Sequence, residues 1–357
     1  MNSYVKLNNF LTEYTERNTD NQYKPVAVGR YGIRTRESIY SKELAKDYSK
    51  NKVIGNNTLT VGMGSVQIDI GILTEDVKYS VSPAYHTYKI AGINPDYLRY
   101  CLECRNQDMF ERYVMRGIRQ GKTIDLGRWL TYEIPVCEAQ EQKEIVSKLD
   151  HVDSLITARC EQLAKLDELV KSRFIEMFGD PITNSKCLPT NNLGKVLLLK
   201  AGDFTAASDI ASEPTAENIY PCYGGNGIRG YVAEYNQEGS YSLIGRQGAL
   251  SGNVQYATGK FKNTEHALLV TPLIEMNSIW LNHLLINLDL QRYQTGAAQP
   301  GLSVKNLQEI PIIEVPKEDQ NQFATFVEQT DKSKFEIQQS LEKLETLKKA
   351  LMQKYFG

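Results

Sequence analysis

The 357-residue chain has no run of some twenty apolar residues, which excludes a membrane-spanning helix. Its first residues, Met1 to Lys6, lack a charged-then-apolar leader, so a cytoplasmic location is expected. Cysteine is sparse. Cys101, Cys104, Cys137, Cys160, Cys187 and Cys222 form no disulfide framework, in keeping with a reducing compartment. The single Cys101/Cys104 pair has no second pair or histidine at ligand spacing, and structural zinc needs four ligands, so no metal is expected. His86, His151, His266 and His283 are scattered without a recognisable Ser, Asp or Cys partner, which leaves no candidate for nucleophilic catalysis. A net charge of −2 excludes indiscriminate coating of nucleic acid.

What the chain does have is a repeat. The stretch 163–179 returns 178 positions later as 341–357, with seven of seventeen residues identical, including Leu163/Leu341, Lys165/Lys343, Leu166/Leu344 and Phe178-Gly179/Phe356-Gly357. Shorter echoes lie in the preceding segments. Gly29, Gly32, Ile33 and Arg34 match Gly224, Gly227, Ile228 and Arg229; Val61-Gly62 matches Ile244-Gly245; Asn94 and Leu98 match Asn277 and Leu281; Glu133 to Val136 matches Glu309 to Ile312. A duplicated unit of globular part plus long helix is implied, with a pseudo-twofold relation between copies. Such an object suits a two-fold partner, and duplex DNA is the commonest.

Residues 141–178 read as one helix. Ile145, Leu149, Val152, Ile156, Cys160, Leu163, Leu166, Val170, Phe174 and Met177 fall mostly three and four apart, the seam of a coiled coil. Gly179 and Pro181 stop it. A second helix starts near Asp319 with Phe323, Val327, Ile337, Leu341, Leu344, Leu351 and Tyr355 on its seam. Thr330 and Lys334 interrupt that seam, which leaves the middle looser or turned to a partner. Each helix spans roughly 55–60 Å, and antiparallel packing of the two is the simplest arrangement. The globular parts read as α/β or α+β. Strands are expected over 24–28, 58–61, 66–73, 196–199, 241–244, 254–256 and 267–271, and helices near 95–112 and 278–293. The expected domains are 1–135, a helix over 136–180, 181–311, and a helix over 312–357. Charge follows this division: residues 1–132 hold 19 basic against 14 acidic residues and 183–308 hold 9 against 9, while the helical segments 138–179 (6 against 9) and 309–357 (7 against 9) are acidic. Lobes that grip DNA and helices that bind proteins would divide charge in this way.

Candidate contacts with DNA follow from residue type. Arg246 and Gln247, side by side between Gly245 and Gly248, suit the edges of guanine and adenine, and the glycines let backbone approach a phosphate. Asn226 and Arg229 flank the neighbouring Gly-rich turn, and Ser303 and Lys305 lie in the loop that follows. In the first half Met63 and Gly64 stand where Arg246 and Gln247 do, so the halves should read different sequences. Arg30, Tyr31, Arg34 and Arg36, with Arg116, Arg119 and Lys122, are candidates for a phosphate-binding face there. Asn94, Pro95, Asp96 and Tyr97 resemble the Asn/Asp-Pro-Pro-Tyr/Phe element of amino-group DNA methyltransferases. The second proline is replaced by Asp96, no Gly-rich nucleotide loop precedes it, and Asn-Pro-Asp is also ordinary helix initiation.

The 299–312 stretch (Gln299, Gly301, Lys305, Asn306, Glu309 to Ile312), the Gly245–Gly248 turn, the Gln-rich helix starts (Glu141-Gln142, Asp319-Gln320) and the doubled helices ending in Phe-Gly together resemble the specificity subunit of a type I restriction–modification system. The resemblance spans nearly the whole length. It implies two target recognition domains, each reading half of a split double-stranded DNA site. It implies helices that act as a ruler and dock two methyltransferase subunits, to which restriction/translocase subunits can join. It also implies a subunit without catalysis or cofactor of its own, S-adenosylmethionine, ATP and magnesium belonging to the partners. The loop 121–129 only loosely matches its counterpart, which puts the base-reading residues of the first half in doubt. Two other classes remain: a self-contained adenine methyltransferase, and a coiled-coil scaffold that never touches DNA.

Overall fold

The computed structural model describes residues 3–30, 32–39, 47–117, 121–296 and 301–357, with backbone alone at 116 and 117. The chain divides into two compact units: Met1–Arg159 with Ser340–Gly357, and Cys160–Gln339. This differs from a globular part followed by its own helix. The first long helix (Ala139–Phe178) and the second (Lys317–Phe356) each contribute one half to either unit. A seam of forty residues is longer than one lobe can cover, so its burial is shared.

In the first unit a four-stranded antiparallel sheet runs in the order Leu11–Glu13, His86–Ile90, Thr58–Met63, Ile68–Leu73. Thr58 to Gly62 are buried without alternation, as expected of a strand covered on both faces. The hairpin Val26–Gly29/Gly32–Thr35 lies over the edge strand at Gly71, where a Cβ would stand 2.5 Å from Ile33 Cγ1. Asn106 holds the same edge, donating to Ile68 O (2.9 Å) and accepting from Ile68 N (3.0 Å). The helix expected near 95–112 is two, Pro95–Cys104 and Asn106–Tyr113, broken at Arg105. The expected strand 66–73 starts only at Ile68, because Val66 sits exposed in the preceding turn.

The second unit holds a six-stranded sheet ordered Leu197–Ala201, Ala267–Pro272, Gln237–Gly245, Val254–Asn263, Tyr220–Gly224, Gly227–Val232. All its pairings are antiparallel except that of Tyr220–Gly224 with Val254–Asn263. Antiparallel sheets with helices to one side make both units α+β. The strand expected at 254–256 continues to Asn263, passing Gly259 at φ +77°. The helix expected at 278–293 ends at Asn287, where left-handed Asp289 (φ 48°) precedes a 3-10 turn.

Each unit has the same joint between lobe and helices. In the first, Asn94 caps its helix by accepting from Asp96 N and Tyr97 N, while its own N–H donates to buried Gln142 Oε1 at 2.9 Å. Gln142 Nε2 donates to Cys137 O at 2.8 Å. Tyr97 meets Phe356 edge-on, centroids 5.1 Å apart. In the second, Asn277, Gln320, Val315 O, Trp280 and Phe178 repeat this with bonds of 2.8 and 2.8 Å and rings 6.1 Å apart. Within each unit the helix segments run antiparallel: Lys348 Nζ reaches Asp153 at 3.0 Å in the first, and Phe174 meets Phe323 at 5.4 Å in the second. Thr330 and Lys334, which interrupt the seam, are satisfied inside the second unit. Buried Thr330 donates to Phe326 O (2.9 Å) and Lys334 pairs with Asp167 (2.6 Å). Both polar groups are therefore satisfied within the unit.

Candidate nucleic-acid interface

The second unit gathers its candidates at one end of its sheet, beyond the last residue of a central strand. The strand Gln237–Gly245 ends in the turn that carries Arg246 and Gln247. Gly245 is required here: a Cβ would stand 2.1 Å from Gly225 O, so the two Gly-rich turns pack backbone to backbone. Gly252 N donates to Gly245 O (2.7 Å) and Gly245 N to Asn253 O (2.9 Å), closing the loop. Asn253 also donates to Asn226 Oδ1 at 2.8 Å. Arg246 N donates to His266 O (3.1 Å), and Arg246 O accepts from Leu302 N (2.9 Å), which brings Ser303 alongside. Ser303 and Lys305 are exposed at the start of the short helix Val304–Gln308, with no side-chain cap from Ser303. Arg229 lies over Gly224, where a Cβ would be 2.4 Å from Arg229 Cδ. Arg246 Nε is buried with no hydrogen-bond partner among the described residues, a polar group left for a ligand or water to satisfy. Gln247 is exposed, with Oε1 3.0 Å from His266 Nδ1.

Among the described residues, the basic candidates of the first unit line different cavities. Arg36 and Met63 line one cavity of about 300 Å³ together with Gly62 and Tyr85. The Arg36 guanidinium also stacks over Tyr48 at 5.5 Å. Lys122 donates to Ser65 O beside the Met63 turn and lies 5.3 Å from the Phe110 ring centroid. Arg30 instead lines a separate groove of about 850 Å³ with Ile33, Gln67, Arg99, Asn106 and Asp153. Arg34 pairs with Ala27 across the hairpin. The backbone of Arg116 pairs with that of Lys122. Tyr31, Arg119, Gln299 and the side chain of Arg116 lie outside the described residues.

Three placements were not foreseen from the residues alone. His266 and Glu265 sit directly behind Gln247, with His266 Nε2 3.1 Å from Glu265 Oε1. Phe204 is 79 % exposed on the segment that Thr205 ties to Glu265. The only sequence signal for His266 was its place immediately before the strand Ala267–Pro272, which pairs Ala267 with Gly245. Tyr97, a candidate for base stacking by its resemblance, is fully buried against Phe356 and donates to Pro135 O at 3.0 Å. It holds the joint and presents no face to a base. Burial pushes the Cys101 thiol up to about 12, as befits an inert core residue, and Cys104 contacts Met352 O. Among the described residues no cluster of three His, Cys, Asp or Glu side chains could hold a metal, and no helix is long and apolar enough to cross a membrane.

Comparison with known proteins bears on both units. The profile of the type I restriction modification DNA specificity domain matches residues 5–168 and again 192–349. The specificity subunit of the type I restriction enzyme EcoprrI of Escherichia coli is 42 % identical over 139 residues, covering 39 % of this chain and 35 % of that protein. The matched part is thus about a third of that relative's length. A crystal structure of the S subunit of a type I restriction–modification system from M. genitalium shares the fold over 100 % of this chain and 96 % of that one, with a TM-score of 0.62 at 16 % identity. A chain from a study of complex assembly and conformational transition of the type I system aligns over 99 % of this chain and 97 % of its own, with a TM-score of 0.55 at 17 % identity.

Proposed function

Because this chain belongs to the type I restriction modification DNA specificity family, we propose that it is the sequence-recognition subunit of a type I restriction–modification complex. Each unit would read one half of a split double-stranded DNA site. The observation that carries this is the pairing of an equivalent joint with unlike tips: Gln142 and Gln320 do the same work, while Met63 and Gly64 stand in the first unit at the positions of Arg246 and Gln247 in the second. A scaffold has no use for two divergent glycine-rich edges. The partners would be two methyltransferase subunits docked along the helices, with restriction/translocase subunits joining them. Exposed Phe335, Leu169 and Ile175 on the helices of the second unit, and Leu347 in the first, support a protein-binding role for those faces. S-adenosylmethionine, ATP and magnesium would be bound by the partners, and this chain would contribute no catalytic group.

Methylation mapping in a host carrying the intact operon tests the reading. Arg246→Ala should lower discrimination at one base pair by about 1–3 kcal/mol and leave the other half-site intact. An unaltered motif would contradict it. The purified full-length chain should transfer no methyl group from labelled S-adenosylmethionine to DNA until methyltransferase subunits are added, and transfer without them would instead make it an enzyme.

A further inference from the structure

Gln247 is the exposed end of a chain of polar contacts that begins in the sheet of the second unit. Its Oε1 lies 3.0 Å from His266 Nδ1, and His266 Nε2 lies 3.1 Å from Glu265 Oε1. The second oxygen of Glu265 accepts from Thr205 N at 3.3 Å, and the backbone N–H of Glu265 donates to Asp203 O at 3.2 Å. Asp203 is itself held by Asn236 at 2.8 Å and Lys262 at 3.6 Å. His266 adds a backbone tie, its carbonyl accepting from Arg246 N at 3.1 Å.

An amide oxygen only accepts, so Nδ1 carries a hydrogen and donates to Gln247 Oε1, while the Nε2 edge of the ring lies against the Glu265 carboxylate. A glutamine on an exposed turn would otherwise sample many rotamers, and a base contact would have to order it. Fixing one end of the amide beforehand removes much of that cost.

We propose that His266, oriented by Glu265, is a positioning residue for sequence recognition: it holds one end of the Gln247 amide so that the other meets a base edge in the major groove. The proposal rests on the reading of the 245–248 turn as base-contacting. In the first unit the matching turn is built differently. Gly64 stands in the place of Gln247, and the Tyr85 ring fills the space over Gly62, where a Cβ would stand 2.3 Å from it. Histidine-dependent reading thus belongs to the half-site taken by the second unit.

The test uses the full-length chain assembled with its methyltransferase subunits. Competition binding is run on duplexes varied at each position of the mapped motif, and thermal unfolding is followed in parallel. Gln247→Ala and His266→Ala should each reduce discrimination at the same single base pair by roughly tenfold, with the other half-site unchanged. His266→Asn should restore it, because the Asn amide nitrogen can occupy the place of Nδ1, whereas His266→Gln, whose amide reaches the place of Nε2, should not. If Gln247→Ala loses discrimination and His266→Ala keeps it, the positioning role is overturned and the base-contacting turn stands. Equal weakening on every duplex by His266→Ala, or a folded His266→Asn that fails to rescue, also overturns it. No effect of Gln247→Ala would remove the underlying reading instead.

Discussion

In the first unit the carbonyl end of the second long helix is closed by Arg105, whose Nε donates to Phe356 O at 2.6 Å. In the second unit the end of the first long helix is closed by Lys186, whose Nζ donates to the carbonyls of Glu176 and Met177. Both are cations at a helix C-terminus, the favourable sign for the helix dipole, yet they come from unrelated places in the sequence. The joint beneath them is duplicated position for position, from the capping asparagine through the buried glutamine to an aromatic pair in which Trp280 takes the place of Tyr97. The turn after the central strand shares only one glycine position, Gly62 or Gly245, excluded from bearing a side chain by a tyrosine ring in one unit and by backbone in the other. The comparison teaches where duplication is kept. A joint that must fit a fixed helix pair tolerates little change, and a tip that meets a variable ligand is free to diverge.

The comparison can be broken at the joint. Phe356→Ala and Phe178→Ala remove fully or almost fully buried rings, and each should cost roughly 3–5 kcal/mol. Equilibrium denaturation should show similar losses for the two. A loss below about 1 kcal/mol in either would mean that the joints are not equivalent.

A smaller effect separates the units by pH. By the offset that relates Asn94 to Asn277, Tyr100 and His283 occupy matching places. The Tyr100 hydroxyl lies 2.7 Å from Asp150 and 2.9 Å from Asp153, and burial raises its pKa far from any acidic titration. His283 packs edge-on to Phe323 at 5.3 Å. Burial lowers it to about 4, with Asp331 opposing that shift and Lys334 adding to it. The unfolded chain takes up a proton at this histidine as pH falls through about 6.5, the folded chain only near 4. Stability is thus complete above that upper value and drains away toward pH 4, by roughly 2–3 kcal/mol. His283→Phe should flatten this part of the pH–stability curve, and an unchanged slope would remove the assignment.

The smallest effect tests the clamps. Gln142→Ala and Gln320→Ala each strand one buried N–H and one carbonyl, at about 1–3 kcal/mol. Hydrogen exchange should speed up at the N-terminus of the Pro95–Cys104 helix in the first variant and of the Ser278–Asn287 helix in the second, and not the reverse. Exchange that rises equally in both units would deny that each clamp is local.

The long helices were legible because a forty-residue seam ended by Phe-Gly leaves little alternative. The central strands were legible because Thr58 to Gly62 and Ala267 to Val270 are uninterrupted buried runs. The partnership of the helices with the lobes was not. Phe178 follows the first lobe in the chain but packs against Trp280 of the second unit, a long-range choice that local periodicity does not record. Gln142 and Gln320 were visible as a repeated pair, though their target, the N–H of an asparagine, is a tertiary fact. At the tips Arg246 and Gln247 were found from residue type. His266 was passed over because its partners lie nineteen positions back and one position away, a spacing that no motif marks. Among the described residues, the basic candidates of the first half line different cavities because the hairpin 26–35 turns Arg30 and Arg36 apart.

The first unit is closed by residues 340–357, and the 180 residues of 160–339 intervene. During synthesis at about 5–20 residues per second, roughly 9–36 seconds pass between the emergence of the two parts. Throughout that time Tyr97 has no Phe356 to rest on, and the amino-terminal lobe waits with an open apolar seat. The second unit, contiguous in the chain, can be finished earlier. Ribosomal order and folding order are thereby inverted: the lobe that emerges first is completed last.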